Sequence, residues 1–136
     1  MKPRILFLCT GNSARSQMAE GLLRSMAGDR FEAESAGTHP AGLNPMAITA
    51  MQEIGIEVRH HRSKHVEEFV GQSFTYVITV CDRAKESCPV FPPAFKILHW
   101  SFEDPAAMPL ENRVEAFRRV RDEIAERIRQ FLNEVV

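Results

Sequence analysis

The sequence has no long apolar run. Its first hydrophobic stretch, Ile5-Leu6-Phe7-Leu8, is too short for a signal-peptide core or a membrane span, and no other segment is long enough either. The expected location is therefore the cytoplasm. Net charge is also nearly absent: 17 basic and 18 acidic side chains are mixed along the chain and leave a formal charge of -1. That balance gives no broad electrostatic footprint for nucleic acid or an anionic membrane, so any anion binding has to be local. Cysteine is scarce, and three of them cannot all pair within one chain. In a reducing compartment a cysteine is more often buried, catalytic or metal-binding than part of a structural bridge. Repeats, low-complexity tracts and linkers are missing too. A chain of 136 residues, 44% hydrophobic and 26% charged, thus reads as a single domain over residues 1–136 with a real core, and a monomer is expected.

What is present alternates strand and helix signals. Arg4 to Cys9 reads as a buried strand, followed by a polar, glycine-containing loop and a helical pattern from Gln17 to Leu23. Phe31 to Ala36 alternates like a second strand, and Gly37 to Gly42 forms a loop. Asn44-Pro45 then supplies an N-cap with proline in the first helical position, opening a helix to about Glu53. Tyr76 to Val80 is rich in β-branched residues and reads as a strand ending at Cys81, while Ala94 to His99 is a weaker strand candidate. From about Glu111, the residues Val114, Phe117, Val120, Ile124, Ile128 and Phe131 mark one face of a long amphipathic helix. Met18, Leu22 and Met26 have helical spacing and are expected in the core. The pattern predicts an α/β fold with a parallel sheet covered on both faces. Cys9, Cys81 and the loop after His99 would share the carboxyl edge of that sheet.

The first loop, Cys9-Thr10-Gly11-Asn12-Ser13-Ala14-Arg15-Ser16, carries the chemistry. Its backbone N–H groups and the following helix N-terminus can converge on one anion, and the helix dipole adds to them. Arg15 can complete the cradle with a bidentate fork. The same positive field predicts a Cys9 thiol below the roughly 8.5 of a free cysteine, hence a nucleophilic thiolate. Gly11 is expected to supply unusual dihedrals or close approach, and Asn12 to tolerate a left-handed conformation. Ser13 and Ser16 can donate to the thiolate or to loop carbonyls. A lone cysteine at a strand end is usually just a small core residue. Here glycine, asparagine, arginine and serine sit where an oxyanion cradle needs them.

At this point the sequence resembles the low-molecular-weight protein tyrosine phosphatase fold, and more closely its thioredoxin-coupled arsenate reductase branch. The likeness is carried by Cys9 to Glu20, Ser35-Ala36-Gly37, Asn44-Pro45, Cys81 to Cys88 with Pro89, and His99-Trp100-x-Phe102-x-Asp104-Pro105-Ala106. It implies a single three-layer α/β/α domain with a central four-stranded parallel sheet. It also implies that Asp104, in its Asp-Pro loop, is the acid that assists a leaving oxygen. In the phosphatases, aromatic residues commonly follow this pair to stack on phosphotyrosine. Ala106-Ala107-Met108 follows here, which favours a small inorganic substrate.

Reducing arsenate to arsenite takes two electrons, which three thiols can supply. The resemblance implies that Cys9 attacks arsenate, Cys81 attacks the Cys9 sulfur as arsenite leaves, and Cys88 then attacks Cys81. Thioredoxin would reduce the resulting Cys81–Cys88 disulfide, and no bound cofactor is needed. Were Asp82 to Cys88 helical, the two cysteines would lie about 10 Å apart along the axis. A disulfide spans roughly 4.4 to 6.8 Å between Cα atoms, so the segment would have to unwind, with Pro89, Pro92 and Pro93 confining the change. Two unrelated buried thiols or half a zinc site are the bland alternatives. The spacing is not that of zinc motifs, and no companion cysteine pair exists.

Some relatives carry a cysteine where this chain has Ala14, which the family mechanism does not use. Reductases of this branch can also hold a potassium ion on residues matched here by Asn12, Glu20 and Ser35, with an aspartate whose equivalent is Lys64. The expectation is that the Lys64 ammonium replaces the ion. His60, His61 and His65 read as a solvated basic patch rather than as metal ligands, since Arg62 and Lys64 in the same stretch would repel a cation. Two other functions share the loop: a phosphatase acting on phosphotyrosine or small aryl phosphates, and a non-enzymatic oxyanion-binding or redox-sensing module.

Overall fold

The run from Ile5 to Leu8 is buried in the middle of a sheet, the placement that suits a continuously apolar strand. The computed structural model describes residues 2–81 and 96–135. Strands β1 (Arg4–Cys9), β2 (Glu32–Gly37), β3 (Tyr76–Thr79) and β4 (Lys96–His99) form one sheet in the order β2-β1-β3-β4. Every pairing is parallel, with Cys9 opposite Gly37 on one side and Leu8 opposite Thr79 on the other. All carboxyl ends therefore meet at one edge, where Cys9 closes β1, Cys81 follows β3 and His99 closes β4.

Three helices accompany the sheet among the described residues: α1 (Arg15–Ala27), α2 (Pro45–Gln52) and α3 (Leu110–Glu134). Helix α1 packs on β1 and β2, and α3 packs on α1 and α2. Asn44 caps α2 as expected, its side chain accepting the Met46 N–H at 2.8 Å with Pro45 in the first position. Along α3, Phe117, Val120, Ile124, Ile128 and Phe131 are buried as the periodicity predicts, but Val114 lies outside this face and is 48% exposed. Met18 and Leu22 are core and Met26 packs against it.

Some boundaries differ from the sequence reading. Helix α1 begins at Arg15 rather than Gln17, and no side chain caps its first turn, which leaves those amides open to the loop in front of them. Strand β2 is shifted one residue, because Gly37 pairs with Cys9. The segment from Val66 to Phe69 and that from Pro105 to Ala107 form short 3-10 turns where no element was expected. Ala94, Asp82, Cys88, Pro89, Pro92 and Pro93 lie outside the described residues. No described helix is long and apolar enough to cross a membrane.

Candidate active site

The loop after β1 is organised by Asn12, which is fully buried and holds a left-handed φ of 46°. Asparagine tolerates that conformation, as expected. Its side-chain oxygen accepts the Lys64 backbone N–H at 2.8 Å and Gln17 Nε2 at 3.0 Å, and its Nδ2 donates to Ser16 Oγ at 2.8 Å. The expectation for Gly11 holds for close approach but not for its dihedrals: its φ is not positive, while a Cβ there would come within 3.3 Å of Ser13 Oγ and 3.6 Å of Ala41 Cβ. The glycine that the loop depends on is Gly37. A Cβ there would come within 2.5 Å of the Thr10 carbonyl oxygen and 2.8 Å of the Asn12 nitrogen, so only glycine lets β2 pass this close.

Cys9 lies at the bottom of the loop and is 3% exposed. Its sulfur accepts the Asn12 N–H at 3.1 Å and sits 2.8 Å from Ser16 Oγ. The predicted fall in its pKa is corrected by this burial. Burial pushes the Cys9 thiol up from its ordinary value, and nearby Cys81 acts in the same direction. The Ser16 hydroxyl and the Ser16 and Asn12 amides pull it down. The hydrogen-bonded cradle thus serves first to offset the desolvation of a thiolate.

Above the sulfur is a cavity of about 230 Å³ lined by Cys9, Thr10, Gly11, Ser13, Ala14, Arg15, Asp104 and Ala106. One water occupies about 30 Å³ of liquid, so a single tetrahedral oxyanion fits with solvent to spare. Arg15 Nη1 donates to the Phe102 carbonyl at 3.0 Å, and its Nη2 is 3.9 Å from Asp104 Oδ2. Asp104 is in turn fixed by accepting the Ala106 N–H at 3.0 Å. Nucleophile, guanidinium and carboxyl therefore line one space, and none of its described lining residues is aromatic.

Cys81 is buried beside this cradle, its sulfur 3.4 Å from the Thr10 hydroxyl. Cys88, the third expected thiol, falls outside the described residues. Behind the loop, Glu20 is buried and accepts the Ser35 hydroxyl at 2.5 Å. Lys64 is also buried, with Nζ 3.8 Å from Glu20 Oε1 and donating to the Arg62 carbonyl at 3.1 Å. With an ammonium in that position, these residues do not suit a resident potassium ion.

The solvated-patch reading fails for His61. Its side chain is only 2% exposed, and Glu20, distant in sequence, lies 3.7 Å away. His60 remains exposed, and His65 Nδ1 accepts the Glu67 N–H to cap a 3-10 turn. Gln17, whose Nε2 spans the Asn12 and Arg62 carbonyls at 3.1 and 3.0 Å, was also missed as part of the site. Its one sequence signal is helical spacing from Glu20 and Arg24, which puts three polar side chains on one face of α1.

A cysteine cradle closing the first strand of a parallel sheet, with an arginine and an aspartate over it, defines a class. The chain belongs to the low molecular weight phosphotyrosine protein phosphatase family, whose model matches residues 4–136. Within that class its relatives include an arsenate reductase of Bacillus licheniformis, 46% identical over 132 residues and covering 96% of this chain and 95% of the relative. A solved arsenate reductase in its oxidized state superposes with a TM-score of 0.85 at 29% identity, over all of both chains. A thioredoxin-dependent arsenate reductase of Corynebacterium glutamicum gives a TM-score of 0.79 at 30% identity, over 98% of this chain and 61% of that one.

Proposed function

We propose that this protein reduces arsenate to arsenite with its own thiols and is regenerated by thioredoxin. The observation that carries the reading is the second buried thiol, Cys81, held against the rim of the Cys9 cradle through Thr10. A hydrolase has no use for it. In the proposed cycle, Cys9 displaces an oxygen of bound arsenate, which leaves as hydroxide or water with help from the Asp104 carboxyl. Cys81 then attacks the Cys9 sulfur, and the S–As electron pair stays on arsenic as arsenite departs. Attack of Cys88 on Cys81 frees Cys9 and leaves a Cys81–Cys88 disulfide, whose reduction by a dithiol partner closes the cycle. Arg15 and the loop amides hold the anion throughout.

The cradle, Arg15 and Asp104 also suit phosphate-ester hydrolysis, so a side activity on aryl phosphates is part of the proposal. The small, non-aromatic lining that the described residues give the cavity favours the inorganic substrate. The test is arsenate-dependent NADPH consumption with thioredoxin and its reductase, on the wild type and on serine replacements of each cysteine. Turnover in the wild type that is lost with Cys81→Ser, while aryl phosphate hydrolysis survives, supports the relay. No turnover in the wild type overturns it.

A further inference from the structure

A chain of hydrogen bonds leads from Cys9 away from the substrate cavity, and the direction of each link as far as Ser16 is fixed by groups that can act in only one sense. Arg24, a donor without acceptor capacity, places Nη1 3.2 Å from His61 Nε2, so that nitrogen is an acceptor. His61 Nδ1 lies 3.0 Å from Gln17 Oε1. The Gln17 amide cannot be reversed, because its Nε2 faces two backbone carbonyls, those of Asn12 and Arg62. Nδ1 must therefore carry the proton and donate. Gln17 Nε2 has two protons for three acceptors and so reaches Asn12 Oδ1 with a shared proton; the identity of that atom as oxygen is set by the obligatory Lys64 N–H donor. Asn12 Nδ2 then donates to Ser16 Oγ, which leaves the single Ser16 hydroxyl proton free to point at Cys9 Sγ.

We infer that His61, as the neutral Nδ1–H tautomer, is a positioning residue for Cys9, acting through Gln17, Asn12 and Ser16. With Cys9 as the thiolate, all the links donate in the same sense, from a guanidinium at one end to the sulfur at the other. Aligned hydrogen bonds of this kind polarise one another, so each strengthens the last donation to sulfur. The inference rests on reading Cys9 as the nucleophile but not on which anion it attacks.

The surroundings of His61 keep it neutral. Burial is the largest influence and lowers its pKa; Arg24, His60 and Lys64 act in the same direction, and Glu20 opposes them. Arg24 and Glu20 face it from α1, at 3.2 and 3.7 Å, and the His60 ring lies edge-on with centroids 4.8 Å apart. Protonation would set an Nε2–H against the Arg24 donor and break the first link. Serving only as a packed core residue, His61 would need no particular tautomer.

Two measurements test this. Nitrogen-15 NMR of the wild-type imidazole at neutral pH should show His61 as the Nδ1–H tautomer, and an Nε2–H tautomer overturns the proposal even if no variant folds. In a Cys81→Ser, Cys88→Ser background, which leaves Cys9 as the one thiol, iodoacetamide alkylation followed against pH reads Cys9 ionisation directly. His61→Leu should slow alkylation at neutral pH about fivefold and move the midpoint upward, the size of one ordinary hydrogen bond. His61→Asn, whose Nδ2 can replace the imidazole Nδ1–H, should restore most of the rate. An unchanged rate in His61→Leu, or equal slowing in both variants, refutes the positioning role. The readout needs neither arsenate nor thioredoxin, so it stands apart from the test of the reductase cycle.

Discussion

Thr10 and Cys81 meet with hydroxyl and sulfur 3.4 Å apart, although 71 positions separate them in the chain. Thr10 follows β1 and Cys81 follows β3, so the parallel pairing of β1 with β3 brings them together. Thr10→Val removes this contact while keeping the β-branched shape. Arsenate turnover coupled to thioredoxin should fall relative to p-nitrophenyl phosphate hydrolysis by about fivefold, one hydrogen bond's worth. Parallel loss of both activities would place Thr10 in anion binding alone.

The pH dependence of Cys9 follows from burial. With its folded pKa raised above the unfolded value, the neutral thiol contributes stability that is fully present below the unfolded pKa of roughly 8.5 and is lost as pH rises through the folded value. Reactivity runs the other way, because the thiolate is the nucleophile. Alkylation of Cys9 in the anion-free protein should therefore have its midpoint above that of free cysteine. A midpoint below it would mean that the cradle outweighs burial.

Gly37→Ala tests the close approach of β2 to the loop. The added Cβ would meet the Thr10 carbonyl at 2.5 Å, and backbone cannot yield as a flexible side chain does. Urea denaturation should show a loss of about 1–3 kcal/mol, as for overpacking elsewhere. Turnover should fall further than the unfolded fraction accounts for, since the displaced atoms belong to the cradle.

Lys64 makes a claim about ions. Its ammonium already faces Glu20, so exchanging sodium for potassium at constant ionic strength should leave the thermal midpoint and turnover unchanged. Lys64→Asp should make the midpoint rise with potassium, because a second carboxylate then faces Glu20 and a cation relieves the repulsion. Potassium-stimulated turnover in the wild type would contradict this account.

The parts of the fold governed by local patterning were legible in the sequence. The buried strand β1, the Asn44-Pro45 start of α2 and the apolar stripe of α3 each arise from a run of neighbours obeying one period. Within the site, the cradle could be read because its residues are contiguous, and Asp104 came through the resemblance. His61 and Gln17 could not, because what buries them is a set of partners scattered over α1 and the segment before Lys64. The pKa of Cys9 was misjudged for a related reason. A motif shows the donors that favour a thiolate, whereas the dry surroundings that oppose it come from the whole core.

The pairing of β1 with β3 also sets a length scale for the proposed electron transfer. Neighbouring strands lie about 4.8 Å apart, inside the span over which a disulfide joins two Cα atoms. Leu8 pairs with Thr79, so Cys81 stands one register step beyond Cys9 at the same edge, and the first proposed bond joins adjoining strand ends.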